Sequence, residues 1–158
     1  MTLEELGSIG EFIAAIGLIV SLIFVGLEVR KTRKQNMVEG TENRLSAWNE
    51  WGQLLLTNPD LREIFLRGSK DIGELNEDER FAFNQLMIFQ FTILVRMYVR
   101  GTELGDEEAL SGARGSLEDL FRLQRSGAVW WKRHRTGWRE PFRAFVDDIV
   151  EEQERLKR

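Results

Sequence analysis

The chain has no cysteine, which excludes disulfide staples, thiolate zinc sites and cysteine nucleophiles. Its single histidine, His134, removes most imidazole-based metal and triad chemistry. A ferritin-like centre needs a Glu-x-x-His pair on each of two helices, so one histidine forbids it. Neither a Gly-x-Ser-x-Gly elbow nor a P-loop occurs. With two prolines and little apolar/polar alternation, an all-α chain is expected. Its 158 residues suffice for one domain with a helical core of its own.

Basic residues are missing from the first 29 positions, which hold Glu4, Glu5, Glu11 and Glu28 and no lysine or arginine. Taking those four from the 26 acids leaves 22 against 22 bases, so the rest of the chain is neutral and the net charge of −4 belongs to this end. The same end is the most apolar. Uncharged sequence runs from Phe12 to Leu27, 16 residues, or roughly 24 Å of helix. A membrane span wants about 20 residues, a length reached if Ile9, Gly10 and Val29 are counted and Glu11 lies at the interface. A secretory signal needs a basic start, and this one is acidic. Directly after the run come Arg30, Lys31, Arg33 and Lys34, a cluster that the positive-inside rule holds in the cytoplasm, against the lipid headgroups. The alternative is a central core helix of a soluble bundle, ended by Glu11 and Glu28. A span is preferred, because a soluble core helix rarely needs so complete an apolar circumference.

Small residues recur through this segment at spacings of three and four: Gly7, Gly10, Ala14, Gly17 and Ser21. They line one seam of a helix, with bulk such as Phe12, Ile16, Val20 and Ile23 on the other faces. In lipid such a seam lets backbones approach closely, and alternating spacings of three and four favour a left-handed crossing. Glu11 and Glu28 are candidate polar groups at a pore or helix interface, since ionisable side chains at membrane depth suggest function.

Beyond the span, expected over residues 1–34, residues 35–158 read as an antiparallel helical bundle. The first helix can continue to about Leu56, with Leu45, Trp48, Leu55 and Leu56 facing inward and Gly40 as a bend. "NPDLREIFLRG" opens a helix with Asn58 as cap, Pro59 at the first helical position and Gly68 as stop. "LNEDERFAFNQLMIFQFTILVRMYVRG" is the clearest helix, capped by Asn76 and ended by Gly101. It carries no charge from Phe81 to Val95, but Asn84, Gln85, Gln90 and Thr92 mark it as a core helix rather than a second span. Further helices follow from about Asp106 to Leu123, over "AVWWKRHR", and from Pro141, where Phe142, Phe145, Val146, Ile149, Val150 and Leu156 keep helical spacing.

The strongest binding candidate lies between Arg122 and Arg143, where seven bases meet one acid. Lys132, Arg133 and Arg135 alternate there with Trp130, Trp131 and Trp138, a mixture that could touch a membrane surface or a partner. Nucleic acid, which similar mixtures bind, is not expected as a partner. The preferred reading is internal: acids on the preceding and last helices cancel the bases, and the tryptophans are core. His134, among cations that repel a metal ion, reads as a partly exposed helix residue. No catalytic residues, cofactor or metal site are expected.

The sequence also resembles a known group through "LGSIGEFIAAIGLIVSLIFVGLEVRKTRKQN", "WNEW", "NPDLREIFLRG", "LNEDERFAFNQLM", "VWWKRHR" and "FRAFVDD". This is a set of small bacterial proteins of unknown function with one N-terminal span and a helical cytoplasmic domain. The resemblance implies a bacterial inner-membrane location and brings no activity or site residues. The expectation is then a membrane protein that self-assembles through its seam into a homo-oligomeric scaffold, or a pore if Ser21, Glu11 and Glu28 face an axis. The alternative is an accessory or sensor subunit docking the same seam on another membrane protein.

Overall fold

A computed structural model of the chain describes Leu18 and residues 21–32, 45–156. Every element among them is helical and none is a strand. The chain divides into two compact units, Met1–Asn43 and Arg44–Arg158. The expected division after Lys34 falls outside the described residues.

In the first unit, residues 21–32 form continuous helix. The second unit contains α1 (45–57), α2 (Pro59–Lys70), α3 (Glu77–Leu104), α4 (Glu107–Leu123), α5 (Gly127–His134) and α6 (Glu140–Leu156). Short 3-10 turns at Ile72–Glu74 and Arg135–Gly137 lead into α3 and α6.

α3 is the helix around which the second unit packs. It touches α2, α4 and α6, and it buries Phe83, Met87, Phe91 and Leu94 almost completely. Its other side carries Gln85 and Arg96 in the open together with Phe81, Ile88 and Val99. Among the described residues it is the one helix long and apolar enough to cross a membrane. The inward side is fully occupied by the fold, which accounts for so much apolar sequence in a helix that also carries amides.

Both ends of α3 are built by identifiable side chains. At the start, Asn76 Oδ1 accepts from the Glu79 amide at 2.9 Å and Glu79 Oε2 accepts from the Asn76 amide at 2.9 Å, a reciprocal capping box. Arg67 of α2 pairs with the same carboxylate. The bond from the Asn76 backbone, followed by the Arg67 contact, holds the Glu79 carboxyl below its ordinary 4.5. A depressed carboxylate stabilises the fold fully above its unfolded pKa, and the contribution is lost as pH falls through the folded value. Glu79→Gln should therefore be less stable than the parent at pH 7, and the two should converge as pH falls below the ordinary carboxylate range. Denaturant midpoints measured across that range check it; a constant gap would show that charge plays no part.

Two expected helix stops prove to be something else. α2 runs through Gly68 to Lys70, and α3 runs through Gly101 to Leu104. A Cβ on Gly68 would sit 2.5 Å from the Phe83 ring, and one on Gly101 would sit 2.5 Å from Leu110 Cβ and 3.0 Å from its backbone. These glycines let helices touch. The residue that ends α3 is Gly105, at φ 70°, a left-handed conformation that suits a residue without Cβ.

Other expectations shift by a turn. Asn58 precedes α2 but does not cap it with its side chain; its amide instead donates to the Leu54 carbonyl at 2.9 Å, closing α1. The buried face of α1 centres on Trp51, flanked by Ala47, Trp48, Leu54 and Leu55. Leu45 and Leu56 lie more than about 100° around the helix from Trp51 and are exposed. On α6, Phe142, Val146, Ile149 and Val150 are buried as spacing predicts, while Leu156 in the last turn is open to solvent.

Candidate functional site

Two regions bear on function: the apolar helix of the first unit and the tryptophan–arginine segment of the second. Along residues 21–32 no side chain is buried. Leu22, Phe24 and Leu27 are 59–66% exposed, and Ile23, Val25 and Val29 are comparably open. Ser21 and Glu28, seven residues apart, share a helix face and are exposed, as are Arg30 and Lys31 one turn later. A Cβ on Gly26 would meet nothing. The rest of the predicted seam, Gly7, Gly10, Ala14 and Gly17, lies outside the described residues, as do Glu11, Arg33 and Lys34.

The tryptophans of the second segment are core. Trp130 and Trp131 are 2% and 0% exposed, and Trp138 packs half-buried beside them. Phe91 stacks against both indoles at 5.0 Å between centroids. Each indole N–H has its own acceptor: Asn84 Oδ1 at 2.9 Å for Trp130, and Asp147 Oδ1 at 2.8 Å for Trp131. The two side chains cannot reach a lipid surface or a partner, which corrects the membrane-contact reading of Trp130 and Trp131. The physical reason is that burying an indole in a core favours folding so long as its one donor is satisfied.

Much of the basic charge is cancelled inside the unit. Lys132 pairs with Glu154 at 2.6 Å and Arg135 with Asp147 at 2.8 Å, both acids of α6. Arg122 pairs with Asp119 at 2.5 Å, and Arg143 with Glu140. His134 stacks on the Trp130 indole at 4.5 Å, its Nδ1 donating to the Trp130 carbonyl at 2.9 Å. Among the described residues no group of three or more His, Asp or Glu side chains is placed to hold a metal ion.

Arg133 departs from this pattern. It has no acidic partner among the described residues and lines a cleft shared with Arg125, Lys70 and Arg80. These cations come from α2, α3, the α4–α5 turn and α5, up to 63 positions apart, so no local motif joins them. The one available signal was the excess of bases over acids between Arg122 and Arg143. Set against family models, curated proteins and solved structures, the chain matches none.

Proposed function

We propose that this chain is a single-pass membrane protein that works by assembly. The N-terminal helix spans the bacterial inner membrane with its acidic end outside, and the helical bundle stands in the cytoplasm. The small-residue seam brings copies together into a homo-oligomeric scaffold. The observation that carries the reading is the helix at 21–32: an apolar surface with no side chain buried, followed at once by Arg30 and Lys31. Leaving Leu18 and the six large apolar side chains from Leu22 to Val29 in water would forfeit roughly 1–2 kcal/mol each, about 10 kcal/mol together. A bilayer recovers that energy.

A pore is the narrower version of the same reading, with Ser21 and Glu28 toward an axis. Scaffold outranks it, because a seam of glycine and alanine suits contact better than water. Pairing of the indoles and bases within the second unit leaves the N-terminal helix as the better candidate for assembly.

The test is the native mass of the full-length protein, expressed alone and extracted from membranes in mild detergent. The expected result is a discrete multimer that Gly17→Leu converts to monomer with an unchanged helical spectrum. A membrane-bound monomer that co-purifies with a larger protein would move the reading to an accessory subunit. Recovery in the soluble fraction would overturn the span altogether.

A further inference from the structure

Lys70, Arg80, Arg125 and Arg133 line one open cleft of about 380 Å³, together with Asp71 and Ser126. Asp71 is the acid in this lining, and its Oδ1 already accepts from the Gly73 amide at 2.7 Å. No carboxylate lies within salt-bridge distance of any of the four cations among the described residues, whereas Arg67, Arg114, Lys132, Arg135 and Arg143 all have acidic partners. Arg80 makes one long bond, 3.5 Å, to the Gly73 carbonyl. The walls are fixed: the Ser126 amide donates to the Ser69 carbonyl at 3.1 Å, tying the α4–α5 turn to the end of α2.

The lining sets four cations against one carboxylate, with no ion pair among them, and the excess positive charges repel one another, although the chain has acids enough to have paired them. An oxyanion of two or more charges relieves that repulsion, and guanidinium forks match the oxygens of a phosphate. The volume exceeds what one inorganic phosphate fills and falls in the lower range of small-molecule sites. We propose that this cleft binds a phosphate-bearing small molecule, the phosphate held by Arg125 and Arg133 on one wall and by Lys70 and Arg80 on the other. The same chemistry is offered by a soluble phosphate compound and by the headgroup of an anionic lipid. The site does not depend on the membrane reading above.

Calorimetric titration of the full-length protein in neutral detergent at low salt tests this, with pyrophosphate as one probe and micellar dioctanoyl phosphatidic acid as the other. Saturable binding of at least one probe is expected, weakening as salt is added. Arg125→Gln with Arg133→Gln should weaken it about tenfold or more. The opposite wall, Lys70→Gln with Arg80→Gln, should do the same, which separates lost ligand contacts from a local rearrangement of one turn. Arg139→Gln, an exposed base outside the cleft, should change nothing. Binding of pyrophosphate supports a soluble ligand, and binding of phosphatidic acid alone supports a headgroup. Absence of saturable binding to both probes overturns the proposal, as does a loss confined to one wall or an equal loss in Arg139→Gln.

Discussion

Replacing Trp131 with alanine should destabilise the helical unit by about 4 kcal/mol, the range typical of deleting a buried tryptophan. The indole is fully buried and lies where α3, α5 and α6 meet: face to face with Phe91 at 5.0 Å and edge-on to Phe142 at 6.1 Å. Truncation leaves a cavity that three helices would have to close at once. It also removes the donor to Asp147, a carboxylate that keeps Arg135 as its other partner. Trp131→Phe should cost less, about 1–2 kcal/mol, since much of the ring contact survives and one hydrogen bond is lost. Denaturant midpoints of the full-length protein in mild detergent measure both. A cost under about 1 kcal/mol for the alanine variant would mean the side chain is not in the core and would return it to the surface.

Some of this was legible in the sequence because the signals are local. Asn76 caps a helix with its side chain, Pro59 at a first helical position has no amide to leave unsatisfied, and the helix expected from about Asp106 begins at Glu107, all signals that act within one helical turn. Glycine was misread at Gly68 and Gly101. A glycine that ends a helix and one that admits a neighbouring helix look the same along the chain, and what separates them is the distance to Phe83 or Leu110. The charge balance between Arg122 and Arg143 was readable as a sum, and the acids of α6 were correctly offered as partners. Which bases would be left over was not, because that depends on which face of α5 meets α6. Lys132 and Arg135 reach α6 acids, while Arg133, one residue from Lys132, lines the cleft. A step of one residue turns a side chain about 100° around a helix, and that step decides between neutralised and available charge.

Asp106→Ala should be the second large loss, about 3 kcal/mol, although the residue has little apolar surface to bury. One carboxylate oxygen accepts from the Ala109 amide at 3.0 Å and caps α4; the other accepts from Arg100 Nε at 2.5 Å. Both side chains are largely shielded from water, at 11% and 14% exposure, so the contact is weakly screened. Losing the cap costs about 1 kcal/mol, and losing a hydrogen bond between charged groups adds about 2 kcal/mol. The two contributions can be separated. Asn caps a helix as well as Asp, so Asp106→Asn should retain the first and give up most of the second, for a loss of about 2 kcal/mol. The geometry of the corner is set by Gly105 in its left-handed conformation and by the close passage of Gly101 against Leu110, and Asp106 locks it electrostatically from the inside. If Asp106→Asn proved as stable as the parent, the Arg100 contact would contribute nothing net and the corner would be held by packing and capping alone. If both variants lost 3 kcal/mol or more, the charge pair would be the dominant fastening between α3 and α4.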